Sequence, residues 1–397
     1  MSTHLESGSV TRTVSDQASL GDIIELGLAP GGTSWQQNDL TAITGAPKIA
    51  SAPFAYVAPD GSGRVVYKDG DGDVIELWLP AGTETWQYDS LTAITGAPQA
   101  SSAPIALVTP GNVARVIYQD SNDSITELWL TPGAQTWQYD SPTAIAGAPA
   151  LGGAPVACVT PDQVTRVFYN TGSSIIELSL ARGGTWQQTN LTAIIGVIVA
   201  SDTAPFAYVT PDGTARVLYR TPVFAVTANG QQAQDIIELR LAPGGTTWQS
   251  GGLIEDVSNP PAPQPSGTPF AYVGPDGLAR VLYKEDSDDN GDGDIIELRL
   301  DPGGWVYSDL TISVSSPPAP PAAGAPFAYV GADGLARVLY TGNNGDIIEL
   351  RLDADGWVYS DLTISVSNPP ASPAASGPFA YVTPDKVDRV YYSSVPS

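Results

Sequence analysis

Short runs of alternating apolar and polar residues recur along the chain, and they are one run written seven times. The clearest copy is 334–357, GLARVLYTGNNGDIIELRLDADGW. Arg-Val-x-Tyr is followed by a polar turn, then Ile-x-Glu-Leu-x-Leu, a Gly-rich turn and Trp. In a strand, alternation puts Ile348, Leu350 and Leu352 on one face and Ile347, Glu349 and Arg351 on the other. The first face suits packing against a neighbouring sheet. The second puts an acid where burial demands a partner. The Arg of the preceding run is within reach across a hairpin.

Each unit reads as four strands: PFAYV (a), ARVLY (b), DIIELRL (c) and the segment after Trp, as in WVYSDLTISV (d). Val, Ile, Tyr and Trp fill these runs, and Gly, Pro, Asn and Asp punctuate them. No helix is expected. A strand-rich repeat of roughly 50 residues points to a propeller. The fold expected is all-β, a seven-bladed β-propeller of four-stranded antiparallel blades. The chain supplies strands c and d first (22–41) and strands a and b last (378–392). These N- and C-terminal half-repeats complete one blade and close the ring, which removes open sheet edges. Residues 1–20 read as a tail and 21–397 as one propeller domain.

The repeated polar residues are Arg64, Arg115, Arg166, Arg216, Arg280, Arg337 and Arg389, with Glu25, Glu76, Glu127, Glu177, Glu238, Glu297 and Glu349. The repeated Trp residues are Trp35, Trp86, Trp137, Trp186, Trp248, Trp305 and Trp357. Their pattern, Arg-Val-x-Tyr, a turn, Ile-x-Glu, a Gly turn and Trp, resembles the repeat of the fungal fucose-specific lectins and their small bacterial relatives. The copy RVIYQDSNDSITELWLTPGAQTW (115–137) carries the likeness well. The resemblance implies a multivalent carbohydrate-binding lectin with sugar sites between blades and glycans as partners. It implies that Arg64/Glu76, Arg115/Glu127, Arg166/Glu177, Arg216/Glu238, Arg280/Glu297 and Arg337/Glu349 grip the sugar. Arg389/Glu25 would do so across the closure. Arg supplies only donors and ionised Glu only acceptors, so together they match two vicinal hydroxyls. An indole covers the C–H face.

One departure stands out. The family's stacking aromatic lies three residues after the Glu, and here that residue is Leu in every copy (Leu28, Leu79, Leu130, Leu180, Leu241, Leu300 and Leu352). Trp78 and Trp129, two after the Glu, are candidate replacement platforms, so their pairs come first as sites. The other reading is structural: each Arg–Glu pair pins blades together, each Trp is a packing plug, and the ring is an interaction scaffold.

Composition narrows the rest. With 42 acidic and 17 basic residues the net charge is −25, which disfavours nucleic acid and anionic membrane as partners. No apolar run reaches membrane-span length, and MSTHLESGSV lacks the apolar core of a secretory leader. Cys158 is the only cysteine, so no intrachain disulfide forms, and it reads as a small buried side chain. His4 is the only histidine, which excludes a His-based triad and a multi-His metal site. Acids that repeat evenly around a ring argue against an enzyme. Two-carboxylate glycoside hydrolysis is the residual enzymatic alternative. The run DSDDNGDGD sets Asp286, Asp288, Asn290, Asp292 and Asp294 at alternate positions, a spacing that suits Ca2+. A solvated acidic turn is the other reading.

Overall fold

The computed structural model describes residues 21–196, 199–200, 204–222, 234–257, 262–285, 293–314, 318–366 and 370–395. The tail 1–20 and the candidate calcium ligands Asp286, Asp288, Asn290 and Asp292 lie outside the described residues. The described chain forms seven four-stranded antiparallel sheets. Six are contiguous in sequence: the first blade covers 54–90, the second 105–140, the third 156–190, the fourth 206–252, the fifth 265–309 and the sixth 327–361. The seventh, the closing blade, joins strands Phe379–Val382 and Asp388–Ser393 to Ile23–Leu28 and Gln36–Asp39. Its seam runs in register from Ile23↔Ser393 to Leu28↔Asp388. The complementary half-repeats at the two ends therefore meet as one sheet, and the ring is a seven-bladed propeller.

Strand a of each blade lies nearest the axis, in contact with strand a of both neighbours. Phe54, Phe379, Phe327, Phe270 and Phe206 stack around that axis, with successive ring centroids 4.4, 4.6, 4.7 and 4.5 Å apart. Farther out, each blade-to-blade interface holds its own apolar layer. Between the fifth and sixth blades, Leu282 and Ile295 meet Val338, Tyr340, Ile348 and Leu350. The next layer sets Leu339 and Ile347 against Ile24, Leu26 and Trp35 of the closing blade. The two faces of strand c thus pack in opposite directions around the ring.

Two features depart from the sequence expectation. Strand d is short, and a helical turn follows it in every copy: Leu40–Thr44, Leu91–Thr95, Pro142–Ala146, Leu191–Ile195, Leu253–Asp256, Leu310–Ser313 and Leu362–Ser365. The first is capped by Asp39, whose side chain accepts from the Ala42 N–H, and ends at Gly45 with φ 70°. The helix also fastens strand c, since the Thr363 hydroxyl accepts the Ile347 N–H at 2.7 Å.

The Tyr of Arg-Val-x-Tyr has a second role. Tyr67, Tyr118, Tyr169, Tyr283 and Tyr340 are fully buried. Each donates to the carbonyl of the Pro twenty residues earlier, at 2.6 to 2.9 Å. That carbonyl lies in the linker arriving from the previous blade, so the Tyr ties each connection to the sheet it serves.

Candidate functional site

In every blade, the hairpin of strands b and c brings Arg and Glu onto one face. The pairs meet at 2.8 Å (Arg64/Glu76), 2.7 Å (Arg216/Glu238) and 3.1 Å (Arg280/Glu297 and Arg337/Glu349). Arg115/Glu127, Arg166/Glu177 and Arg389/Glu25 are also in contact. The Glu side chains are all sealed, at 5% exposure or less. Burial raises the pKa of Glu76 and Glu127, opposed by Arg64 and Arg115 respectively. Burial works against the charge of Arg64, but Glu76 and Asp60 more than offset it.

Most of these guanidinium groups are also held from outside. Asp60 and Asp162 pair with Arg64 and Arg166 at 3.2 Å. Asp276 and Asp333 each take two bonds from Arg280 and Arg337. Those bonds hold both carboxyls down to about 2. The Trp residues pack between blades: Trp35, Trp86, Trp186, Trp248 and Trp305 are buried, and Trp137 and Trp357 are partly so. Trp186 and Trp248 donate to Glu127 and Glu177 of the preceding blade at 3.3 and 3.2 Å. Those two acids therefore spend acceptors on protein.

The closing copy differs. A cleft of about 600 Å3 opens between the closing and first blades. One wall carries Arg389, Glu25 and Asn38, and the facing wall carries Leu79, Trp86 and the loop Pro80–Glu84. Leu79 is the residue three past Glu76, so the Leu that replaces the expected aromatic faces the neighbouring blade's pair. Glu25 is fully buried. It accepts from Arg389, from Tyr391 at 3.0 Å and from Asn38 Nδ2 at 2.8 Å. Only the amide nitrogen of Asn38 can donate to a carboxylate, which leaves its Oδ1 and second N–H for the cleft. The sister positions across from Glu76 and Glu127 are Asp89 and Asp140, which cannot do this.

Tyr391 is peculiar to this copy. In the first and fourth blades the Tyr of strand a bonds the Glu, Tyr56 to Glu76 and Tyr208 to Glu238. Here Tyr391 takes that place, and the strand-a Tyr381 stacks on it with centroids 5.9 Å apart. Tyr381 Oη has no hydrogen-bond partner among the described residues and points at Gly63, where a Cβ would lie 2.5 Å away. Sister copies have a side chain there, such as Ala215 or Ala336.

Trp78 and Trp129 lie directly across strand b from Arg64 and Arg115, each half-buried. Neither lines the cleft at the closing blade. The cleft lies instead at Arg389/Glu25, where the residue matching Trp78 and Trp129 is Gly27. Asn38 and Tyr391 escaped the sequence reading because they do not repeat, and a search for departures from the repeat would have found them; Tyr381 escaped because it repeats as an ordinary strand-a residue. Cys158 occupies the Tyr position of its blade, half-buried, and burial pushes its thiol up to about 12, which disfavours the thiolate. Among the described residues no group of three or more His, Cys, Asp or Glu is arranged to hold a metal ion.

No family model matches the chain, and no curated protein does. Solved structures do. The BP39L lectin of Burkholderia pseudomallei superposes with a TM-score of 0.56 at 13% identity, over 87% of this chain and 96% of that one. The fucose-specific lectin of Aleuria aurantia gives 0.49 at 17%, over 78% and 93%. AofleA of Arthrobotrys oligospora gives 0.48 at 14%, over 88% and 91%. At such identities the likeness is one of fold: the chain is a β-propeller similar to that of the Burkholderia pseudomallei lectin.

Proposed function

We propose that this protein is a non-enzymatic lectin and that the closing cleft is its carbohydrate site. The observation that carries the reading is the cleft's two-sided wall. Arg389 and Asn38 offer donors and an acceptor at one side, and Leu79 and Trp86 offer an apolar surface at the other. A pyranose has the same division between hydroxyl edge and C–H face. Fully buried Glu25 orients Arg389 and Asn38 rather than touching ligand. That position also removes it from proton transfer to a bound glycoside, in keeping with binding rather than hydrolysis. Fucose is the first sugar to test, on the resemblance of the repeat. At the other copies the scaffold reading is favoured, because most of their arginines carry a second acid, which Arg389 lacks among the described residues.

The test is a glycan array followed by calorimetric titration with the free sugar. Arg389→Lys keeps the charge on Glu25 but loses the planar fork, and binding should weaken at least tenfold, a loss of about 1.4 kcal/mol. Arg64→Lys should leave affinity unchanged. Absence of binding across the array would reject the lectin reading in favour of the scaffold.

A further inference from the structure

The seven pairs differ at two flanking positions. The residue two past each Glu sits directly across strand b from the Arg. It is Gly27 opposite Arg389, Trp78 opposite Arg64, Trp129 opposite Arg115, Ser179 opposite Arg166, and Arg240, Arg299 and Arg351 opposite Arg216, Arg280 and Arg337. Side chains there share the face of the Arg–Glu pair. Arg240 Nε, for instance, lies 3.7 Å from Glu238. Arg299 and Arg351 are held there by Asp301 and Asp353. The second position is four before the Arg, where Asp60, Asp162, Asp276 and Asp333 clamp the guanidinium. Asp385 holds that position in the closing copy. It is exposed on the rim of the cleft and makes no ion pair with Arg389 among the described residues.

We propose that these two positions act as locks that decide which copies admit a ligand, and that only the closing copy has both released. The proposal rests on the lectin reading of that cleft and sets its valency: one site per chain for a sugar presenting vicinal hydroxyls, not seven. The third blade separates the two locks. Ser179 is small, but Asp162 clamps Arg166, and the opening beside that pair is only about 10 Å3, about one water. The second blade is the converse. Arg115 has Gly111 where the clamp would be, but Trp129 stands opposite it. Gly27 leaves the space opposite Arg389, beside the cleft, unfilled without being required by the backbone. A Cβ built on it meets nothing within 4 Å, and its φ is not positive. A side chain there fills space rather than straining the strand.

The locks are tested with an arginine-directed dicarbonyl reagent and peptide mapping, a readout that needs no sugar. Arg389 should react several-fold faster than Arg64 or Arg166. Gly27→Trp should slow Arg389 to the rate of Arg64, and so should Gly27→Arg, which imitates the later copies should the indole disturb folding. Trp78→Ser combined with Asp60→Asn should raise the rate at Arg64 towards that of Arg389. Titration with a bound sugar should then give one site in the native chain, none in Gly27→Trp and two in the double variant. Equal reactivity of Arg389 and Arg64 in the native chain, or an unchanged Arg389 rate in both Gly27 variants, would overturn the locks. If the native chain binds no sugar while the reagent pattern holds, the lectin reading falls and the locks stand.

Discussion

At the scale of the residue, a repeated motif does different work in different copies, because the second partner of each Arg changes. Arg115 has one carboxylate, Glu127; its Nε goes to the Thr109 hydroxyl at 2.9 Å. Arg337 has Glu349 at 3.1 Å and two further bonds to Asp333 at 2.7 and 2.8 Å. Removing one partner of a buried pair is costly mainly because the remaining charge is stranded. Glu127→Gln should therefore cost about 3 kcal/mol, whereas Glu349→Gln should cost about 1 kcal/mol because Asp333 stays. Urea denaturation of the two variants measures the difference. Equal losses would show that the second acid carries no part of the load. The same variation made the site hard to read from sequence. Every Arg and Glu was visible by its repetition, but repetition cannot tell an open pair from a sealed one. Trp78 and Trp129 drew attention as large aromatics beside a pair, whereas the proposed locks give a large side chain there the opposite role, that of filling the place a ligand would need. Gly27, with no side chain, lies opposite the Arg389 that lines the cleft.

At the scale of the element, the strands were legible because their β-branched and aromatic residues alternate without interruption, and the closure because the two ends carry complementary halves. The helical turns were not. Leu-Thr-Ala-Ile-Thr is rich in β-branched residues, which favour strands, and five residues are too few to show a helical period. The signals present were the caps, Asp39 before the run and Gly45 after it. The buried Tyr was legible as core but not as an anchor, since its partner is a backbone carbonyl with no side-chain signature. Tyr340→Phe removes one hydrogen bond from a buried ring and should cost about 1 kcal/mol. Tyr219 provides the control. Its hydroxyl is buried with no partner among the described residues, so Tyr219→Phe should be neutral or slightly stabilising. Thermal melting of the two variants reads the contrast, and a larger loss for Tyr219→Phe would contradict the anchoring role.

At the scale of the whole molecule, the excess of acids governs the response to pH. Burial pushes Asp309 up to about 6, with Asp294 and Glu285 adding to the rise against the Ile312 N–H. Burial likewise pushes Asp361 up to about 6, with Asp346 beside it. Between the ordinary carboxyl range and 6, the folded state binds more protons at these sites than the unfolded chain does, so stability falls as pH rises through that window. The net charge of −25 acts in the same direction, since protonation relieves self-repulsion. Acidification from pH 7 to 5 should therefore raise the melting temperature. Asp276 and Asp333, held down to about 2, have the opposite sign: the stability they confer is present above the ordinary carboxyl range and is lost as pH falls towards 2. The optimum should thus lie on the acid side of neutrality, with loss setting in below about pH 4. Asp309→Asn and Asp361→Asn isolate the two sites without removing their helix caps. Both residues accept a helix N–H, and Asn190 makes the same cap bond in the third blade. The double variant should melt higher than the native chain at pH 7 and show a flatter rise on acidification. If it keeps the full native rise, the pH dependence resides in the diffuse surface charge, and added salt at pH 7 should then reproduce the effect of acid.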